Sequence, residues 1–432
     1  MSINDFTTSD NHACYLFYYL HQKKTPPMRK LLFFILVILI SGFFASCGNT
    51  KSSSEKQADG IPEIPEISAA MQALIDSGEM SGAVTVVVTK DKFIHLDASG
   101  LADIAGNKPM QPDALFWIAS MTKPITGVAV MILHDEGKLS ITDPVSKYIP
   151  SFAGLLTPSG NPAVITIAQI LSHTSGLGEA GNADLLKAKT LADLIPAYLN
   201  SPMQFEPGAK WKYTQSGINL AARIVEIVSG MPFDEFLRKR LFDPLGMKST
   251  TFYPVKGSSS TLVTGYSKNK QTGLPDAIPL PEVYSSENHP PLGNGGLFST
   301  GPDYARFCQM LLGEGSYNGT QYLSREAFKL LISLKTGDMP TGFLQSPELG
   351  SHGLNYGYGI GICVLRSPHE GVAEMLSPGT FGHGGAWGTQ AWIDPVKGIA
   401  CILMVQRPGS GNSDGSEVRR IFQQTAFKSL GK

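Results

Sequence analysis

Cysteine is scarce in this sequence, and neither sign of charge is in excess. The 432 residues include 5 cysteines, and 35 basic side chains nearly balance 36 acidic ones. So few cysteines cannot form the disulfide framework of a small secreted scaffold, and no group of cysteines and histidines has zinc-binding spacing. The balanced charge and the lack of a basic stripe exclude the electrostatic footprint of a nucleic-acid-binding protein. We therefore expect neither a zinc site nor a nucleic-acid partner.

Hydrophobic residues, glycine and proline are abundant. Hydrophobic residues make up 42% of the chain, which is enough for a substantial core in one large or two ordinary domains. The 46 glycines and 29 prolines predict many turns around a mixed α/β framework. We find no internal repeat.

The N-terminal region carries the pattern of an export signal. Arg29 and Lys30 precede an uncharged apolar run, and small residues precede Cys47, which is the order typical of a secretory signal peptide. We assign residues 28–47 to this signal and interpret residues 1–27 as a mis-assigned upstream start. An uncleaved N-terminal anchor is the alternative, although the apolar run is short against the roughly 20 residues of a membrane-spanning helix.

The sequence FASC at the end of this signal resembles a bacterial lipobox, whose cysteine is lipidated and becomes the mature N-terminus. The resemblance implies a membrane anchor at Cys47 of a protein secreted across the inner membrane, as a periplasmic or outer-membrane lipoprotein. Residues 48–65 are polar and then punctuated by prolines, which predicts a flexible tether. The tether leads to a single domain at 66–432.

Strand patterns lie at both ends of this domain, and helical patterns fill its middle. Two β-rich runs around the polar residues 90–92 predict a hairpin, and Thr300 with Asp303 predicts a capping box at one of the later helices. The C-terminal part returns to strands in GYGIGICVL, TQAWID and GIACILMVQR, before a last helix. We expect an α/β (α+β) fold: an antiparallel sheet from the N- and C-terminal segments, flanked by helices, with a mostly helical lobe inserted at roughly 120–340.

The stretch FWIASMTKPITG places Ser120 three residues before Lys123. Ser-x-x-Lys also begins at residues 53, 267 and 429, in the tether, a polar loop and the C-terminus. Only Ser120 stands between an apolar run and a helical pattern, so it is predicted at a helix N-terminus, which favours developing negative charge. Lys123 then shares its helix face. A buried lysine can activate a serine, whereas an N-cap serine beside a solvated lysine is the structural alternative.

Five segments, taken in order, resemble the serine β-lactamase and penicillin-binding-protein superfamily, and more narrowly its class C β-lactamase-like branch of D,D-peptidases and esterases. They are FWIASMTKPIT, ITIAQILSHTSGL, FEPGAKWKYTQSGINLAARIVEIVSG, GNGGLFSTGPDYARF and FGHGGAWGTQAWIDP. The resemblance extends from about residue 66 to the C-terminus. It implies a β-lactamase/transpeptidase-like fold and requires no metal and no cofactor.

The resemblance assigns roles to residues at matching positions. Ser120 is the expected nucleophile and Lys123 its partner. Tyr213 is the expected tyrosine that shares base and acid duty with the lysine, since a nearby ammonium lowers the pKa of a phenol. The family has asparagine two residues later, whereas this sequence has Gln215, whose amide is one methylene longer. We expect glutamine at this position to affect the geometry needed for a β-lactam more than catalysis itself.

The third family element is Lys-Thr-Gly or His-x-Gly on a strand that lines the site. His383, Gly384 and Gly385 match it ahead of a strand pattern. We expect His383 to be a polar or cationic group facing the substrate's carbonyl or carboxylate, and the glycines to let a substrate backbone approach. A satisfied strand-edge histidine is the alternative. The N–H groups of Ser120 and Ala386 are the expected oxyanion hole.

Other matches to catalytic patterns have structural explanations. Lys-Thr-Gly at 335–337 ends a helical pattern and is typical of a helix C-terminus. Tyr198–Asn200 copies Tyr-x-Asn at the end of an apolar helix. GNSDG at 411–415 has too long a turn for a nucleophile elbow, and no histidine follows it. His173 and Ser175 stand two residues apart and would not face each other on a helix, so their segment is predicted to be a structural loop at the edge of the site.

These observations predict a secreted serine hydrolase that forms an acyl-enzyme at Ser120 on an amide or ester, such as a D-Ala peptide, a small ester or a β-lactam. Its partners would be that small-molecule or peptide substrate and the membrane, through the lipid at Cys47. The alternative is a penicillin-binding or sensing lipoprotein of the same fold that is acylated slowly or not at all, and Gln215 is the feature that motivates it.

Overall fold

The computed structural model describes residues 60–254, 261–269, 271–273, 275–285, 288–341, 355–409 and 416–432. The predicted upstream start, signal peptide, lipidation site at Cys47 and most of the tether lie outside these residues and stay predictions. Within the described ranges, no helix is both long enough and apolar enough to cross a membrane.

The strands are short except for two near the N-terminus. In chain order they are β1 Gly82–Val88, β2 Phe93–Asp103, β3 Lys108–Pro109, β4 Phe116–Trp117, β5 Gly265–Lys268, β6 Pro275–Ile278, β7 Phe298–Ser299, β8 Ser316–Tyr317, β9 Thr320–Gln321, β10 Tyr356–Tyr358, β11 Cys363–Leu365, β12 Phe381–Gly384, β13 Gln390–Asp394 and β14 Ile399–Met404.

One eight-stranded antiparallel sheet organises the domain, in the order β10-β11-β12-β13-β14-β1-β2-β3. The first strand of the chain pairs with the last, with Val84 opposite Met404 and Val88 opposite Ala400. The hairpin of β1 and β2 forms where the sequence predicts it. The predicted architecture, a sheet built from both ends of the chain, is therefore confirmed.

The helices include several one- or two-turn segments. In chain order the α-helices are α1 Pro65–Asp76, α2 Thr122–Asp135, α3 Ile167–Leu171, α4 Asn182–Lys187, α5 Ile195–Asn200, α6 Ser216–Ser229, α7 Phe233–Leu237, α8 Asp243–Leu245, α9 Glu282–Ser285, α10 Gly301–Leu312, α11 Arg325–Ile332 and α12 Glu417–Ser429. Short 3₁₀ helices lie at Ala119–Met121, Val145–Lys147, Pro150–Gly154 and Leu191–Leu194, and a π-helical turn lies at Arg238–Phe242.

The sheet lies between two hydrophobic layers. Strand β1 is buried along its whole length, because alternate side chains point to opposite faces. Val84 and Val86 contribute to one core, and Ala83 and Val87 to the other. On the second face α1 packs against α12; on the first, α10 packs against β1 and β14. Helices α2 and α6 pack together at the centre of the inserted helical lobe, and α2 carries the predicted Ser-x-x-Lys lysine.

The folded domain begins earlier than the sequence predicts. The N–H of Ile64 donates a hydrogen bond to His95 Nδ1 at 2.9 Å, and the next residue, Pro65, begins α1. Proline is favoured in a first helical turn, where its missing N–H has no partner to lose. The end of the predicted 48–65 tether therefore belongs to the domain.

Two predicted helix ends also differ. Helix α11 ends at Ile332, and the Lys335 N–H beyond it donates to the Tyr358 carbonyl oxygen at 2.8 Å, so Lys335 is not in the last turn. Thr300 Oγ1 accepts from the Asp303 N–H at 3.2 Å as a capping box requires. The Asp303 carboxylate, however, accepts from the Ser249 N–H at 2.7 Å, so the reciprocal half of the box is replaced by a tertiary contact.

Candidate active site

Ser120 lies in a tight turn that leads directly into α2. Strand β4 pairs with β7 just before it, and Ala119 then adopts a positive φ of 44°, a conformation that residues other than glycine rarely occupy. Ala119 and Met121 are buried, whereas Ser120 is partly exposed. The turn therefore presents the serine side chain at the surface of the lobe and holds its neighbours in the core. Such backbone strain is a feature of functional sites.

Side chains from other parts of the fold hold this turn in place. Thr122 Oγ1 donates to the Ala119 carbonyl oxygen at 2.7 Å. The buried Tyr304 hydroxyl of α10 donates to the Met121 carbonyl oxygen at 2.9 Å. The backbone on either side of Ser120 is therefore fixed by two buried hydrogen bonds.

Lys123 is fully buried and lies against Ser120. Its Nζ donates to Ser120 Oγ at 3.0 Å, to Gln215 Oε1 at 2.9 Å and to the Asn294 carbonyl oxygen at 2.7 Å. These three acceptors match the three donors of an ammonium group. The same Nζ lies 4.7 Å from the centre of the Tyr213 ring. The solvated lysine of the structural alternative is therefore wrong.

Tyr213 is half-buried in a cluster of aromatic rings beside Lys123. The centre of its ring lies 4.5 Å from that of His173, 6.2 Å from that of Trp211 and 6.1 Å from that of His383. The cluster brings together the segments of three of the family motifs. Tyr213 is therefore within the same site as Ser120 and Lys123, as the sequence resemblance implies.

Gln215 reaches the site through its longer side chain. Its Oε1 accepts from Lys123 Nζ and, at 2.9 Å, from Asn294 Nδ2. The Asn294 N–H donates in turn to Asn219 Oδ1 at 3.0 Å, and Asn219 Nδ2 donates to the Tyr198 hydroxyl at 3.4 Å. The extra methylene thus leaves the contact with the lysine intact. Tyr198 is buried behind the site, in agreement with its interpretation as a chance match.

His383 is inside the protein and not on an open face. It lies on β12 with 1% of its surface exposed. Its Nδ1 is 2.7 Å from the Gly384 carbonyl oxygen, which can only accept, so Nδ1 carries the proton. Its Nε2 then accepts from the Tyr358 hydroxyl at 2.5 Å.

The charge state of the His383 ring bears on whether it acts as a polar or as a cationic group. Burial, and then the positive charge of Lys123, lower the pKa of His383 to about 3. A ring with this pKa is neutral near pH 7, which favours the polar option in our prediction over the cationic one. The physical reason is desolvation, which the sequence pattern did not reveal.

The glycine turn after His383 lies against the residues that precede Ser120. A Cβ on Gly385 would come within 2.2 Å of Thr389 Oγ1 and 2.5 Å of the Ile118 carbonyl oxygen. The Gly385 N–H donates to the Thr389 carbonyl oxygen at 2.7 Å, and Ala386 at the tip is exposed. Only glycine fits at 385, and it brings the Ala386 backbone towards the serine turn.

Four residues that contact the predicted site residues were not singled out as site residues from the sequence. They are His173, Glu179, Asn294 and Tyr358. The first three lie within or beside the segments that resemble the family motifs, and that position is the signal in the sequence that could have indicated them. Irregular loops, however, have no periodicity that shows which side chain faces inward. The 411–415 motif lies outside the described residues. Where the structure is described, no cluster of three or more His, Cys, Asp or Glu side chains could hold a metal ion.

The fold and the site together define a serine hydrolase-type protein of the β-lactamase and penicillin-binding-protein class. The family model described as Beta-lactamase matches residues 67–426, so the chain belongs to this family.

Known proteins agree with this assignment. The chain is 30% identical to Protein Rv1367c of Mycobacterium tuberculosis (strain ATCC 25618 / H37Rv), over 78% of this chain and 88% of the relative. It is 26% identical to Esterase EstB of Burkholderia gladioli, over 80% and 92%. Among solved structures, EstCE1, a hydrolase with promiscuous acyltransferase activity, superposes with a TM-score of 0.71 at 23% identity, over 84% of this chain and 98% of the other. The likeness to EstCE1 shows the fold alone.

Proposed function

We propose that this protein is a secreted serine hydrolase that forms an acyl-enzyme at Ser120 on an amide or ester. The observation that carries the proposal is the position of Lys123 Nζ, which is buried and donates to both Ser120 Oγ and Gln215 Oε1. The Lys123 ammonium lies within hydrogen-bond reach of the serine hydroxyl and beside the Tyr213 ring, so it would favour the phenolate of Tyr213 as the base that activates the serine nucleophile.

The reaction would run in two halves. Ser120 Oγ attacks the carbonyl carbon while its proton passes to the phenolate oxygen of Tyr213, which the Lys123 ammonium stabilises, and the N–H groups of Ser120 and Ala386 stabilise the oxyanion. Tyr213 returns a proton to the leaving amine or alcohol, which departs and leaves the acyl group on Ser120. Water then attacks the acyl-enzyme by the same route and releases the acid.

In this scheme Gln215 would contact the substrate, whereas His383 would support the site from inside the protein. The Gln215 carbonyl oxygen is occupied by Lys123 and Asn294, so its amide NH₂ is the group to donate to a substrate carbonyl. His383 is neutral and holds the Tyr358 hydroxyl. It therefore supports the wall of the site and supplies no positive charge to a substrate carboxylate.

Among the candidate substrates, small esters with an apolar group fit best. D-Ala peptides and β-lactams carry a carboxylate, for which a cationic His383 would have been the partner. The turn that bears Ala386 continues into Trp387, whose ring lies 5.2 Å from that of Trp117. The Tyr284 ring lies 4.8 Å from that of Trp117, and both tryptophans are largely buried. This aromatic group beside the serine turn favours an apolar acyl or alcohol group.

Labelling with two serine-directed probes tests the proposal. The purified full chain is incubated with a fluorescent fluorophosphonate and with a fluorescent penicillin, and Ser120→Ala is the control. We expect the fluorophosphonate to label wild-type protein and not the Ser120→Ala variant. A folded protein that neither probe labels would contradict the hydrolase function. A penicillin adduct that is never released would instead favour the sensing lipoprotein.

A substrate panel tests the preference. Initial rates are compared for p-nitrophenyl butyrate, a D-Ala-D-Ala peptide and a chromogenic cephalosporin. We expect the ester to give the largest kcat/KM. A larger value for the peptide or the cephalosporin would overturn the preference and leave the serine mechanism in place.

We also propose export and lipid anchoring, with Cys47 as the modified residue, on the sequence of residues 28–47 alone. Mass spectrometry of the mature N-terminus after expression in a Gram-negative host tests this. A diacylglyceryl cysteine at 47 is expected, and an intact peptide that begins at or before Met28 would contradict it.

A further inference from the structure

One short segment runs along the loop that carries Tyr213 and Gln215. It consists of residues 173–179, HTSGLGE, and we name it the clamp. The Gly208 N–H donates to the Thr174 carbonyl oxygen at 2.7 Å, and the Gln204 N–H donates to the Gly176 carbonyl oxygen at 2.7 Å. The clamp and the loop are thus held together before the loop reaches the site.

His173 at one end of the clamp holds the residues on both sides of Tyr213. The Lys212 N–H donates to the His173 carbonyl oxygen at 3.0 Å, and the Thr214 N–H donates to His173 Nδ1 at 3.2 Å. The His173 ring also lies against the Tyr213 ring, with centres 4.5 Å apart. Two hydrogen bonds and a ring contact from one residue therefore fix where Tyr213 stands.

The backbone of His173 explains how one residue makes both bonds. Its φ is 63°, in the left-handed region, which asparagine, histidine and aspartate enter more readily than other non-glycine residues. The side chain is buried and accepts at Nδ1, so the neutral ring carries its proton at Nε2. Burial, the charge of Lys123 and the proximity of His383 lower the pKa of His173 well below its usual range. The ring is therefore a fixed acceptor and not a proton carrier.

Glu179 at the other end of the clamp holds the residues that follow. Its Oε1 accepts from the Gln215 N–H at 2.5 Å and its Oε2 accepts from the Ser216 N–H at 2.9 Å. Ser216 begins α6, and the capping residue Gln215 makes no side-chain cap. The Glu179 carboxylate thus caps the helix from outside, where negative charge is favoured, and leaves the Gln215 amide to Lys123.

We propose that the clamp is the positioning element of the active site, in which His173 sets the place of Tyr213 and Glu179 sets the place of Gln215. The kinetic predictions of this proposal rest on the proposed hydrolase function. Its structural prediction, that the clamp holds the Tyr213 and Gln215 side chains around Lys123, does not depend on turnover. Both clamp residues act through others and touch no reacting atom.

Two substitutions at His173 separate positioning from simple loss of a histidine. Glycine and asparagine both tolerate the positive φ, but only asparagine offers an oxygen near the Nδ1 position for the Thr214 N–H.

With the ester substrate, His173→Gly should lower kcat about 100-fold and change KM less than about threefold, because a misplacement of a catalytic group by ~1 Å lowers the rate by about that factor. His173→Asn should restore kcat to within about tenfold of wild type. His134→Asn, which removes a ring contact to the Leu139 carbonyl oxygen at the far end of α2, should leave kcat unchanged.

A crystal structure of the His173→Gly variant decides the question even if the wild-type protein turns over no substrate. The Tyr213 ring is expected to move away from Lys123 Nζ. An unmoved ring, or an asparagine variant as slow as the glycine one, would overturn the proposal, whereas failure of wild-type labelling would refute only the hydrolase function.

A Glu179→Gln variant provides the test if His173→Gly does not fold. In the amide one of the two accepting oxygens is replaced by an NH₂ group, which faces a backbone N–H and cannot accept from it. The start of α6 should therefore loosen, and the Gln215 side chain should leave Lys123 in the crystal structure of the variant. A Gln215 side chain still bonded to Lys123 would count against the clamp.

Discussion

Lys123 Nζ donates a hydrogen bond to Gln215 Oε1 at 2.9 Å. The sequence departs from the family pattern at this position, where asparagine is usual. The longer side chain makes the contact with the lysine and also accepts from Asn294. The departure therefore lengthens the side chain that carries the amide and leaves its hydrogen bond with Lys123 in place.

Shortening this side chain should be harmful even though it restores the usual family residue. In Gln215→Asn the amide is drawn back by one methylene and cannot reach both Lys123 and Asn294. We expect kcat/KM for the ester to fall about tenfold, which is the effect of losing ~1.4 kcal/mol of transition-state stabilisation. Gln72→Asn, on an exposed part of α1, is the control and should match wild type. An unchanged or higher rate in Gln215→Asn would show that the longer reach is not needed.

Replacing Lys123 by methionine should abolish activity and cost some stability. Methionine fills similar space, but the Asn294 carbonyl oxygen loses the lysine donor, and a buried acceptor left unsatisfied costs about 1–3 kcal/mol, whereas Gln215 Oε1 keeps its hydrogen bond from Asn294 Nδ2. We expect no fluorophosphonate labelling of Ser120 and a lower free energy of unfolding in urea. The near-ultraviolet circular dichroism should stay native, which separates loss of chemistry from loss of fold. Labelling at the wild-type rate would contradict the role of the lysine.

The sheet and the main helices were predictable because their patterns are local. The apolar residues of β1 and the amphipathic faces of α1 and α12 are visible in short windows of sequence, and pairing β1 with β14 follows from strands at both ends of the chain. Ser120 and Lys123 were predictable for the same reason, since two residues that stand three positions apart on a helix share a face.

The rest of the site depends on burial and on contacts between distant segments. The sequence pattern places His383 at a strand, where it is found, but its charge depends on desolvation by residues that are far away in sequence. The sequence predicts that His173 lies in a loop at the edge of the site, and the segment is irregular as expected. The positive φ of His173, which sequence periodicity cannot indicate, turns its ring towards Tyr213.

Substituting Gly385 by alanine should damage the turn opposite Ser120. The added Cβ would lie 2.5 Å from the Ile118 carbonyl oxygen, closer than real Cβ contacts allow, so the turn that carries Ala386 must shift. Loss of one oxyanion donor typically costs about 10²–10³ in kcat, and we expect kcat to fall by about 100-fold with little change in KM. Gly154→Ala is the matched control, since a Cβ there meets nothing within 4 Å. Equal kcat in Gly385→Ala and wild type would argue against the Ala386 N–H as an oxyanion donor.

Acid should destabilise the protein through its buried histidines. The pKa of His383 is lowered to about 3 and that of His95 to about 4, both chiefly by burial, whereas in the unfolded chain both titrate near the ordinary value of 6.5. Between these values the unfolded state binds more protons than the folded state, so stability is constant well above pH 6.5 and falls as pH drops towards 3. Each such histidine contributes up to about 1.4 kcal/mol per pH unit in that window.

The variant His383→Asn tests this prediction, because it keeps a donor for the Gly384 carbonyl oxygen and removes one titrating ring. It should therefore lose less free energy of unfolding than wild type between pH 7 and pH 4.5, measured by urea titration. Equal losses in the two proteins would mean that His383 is already protonated in the fold, and the cationic role of this residue would return.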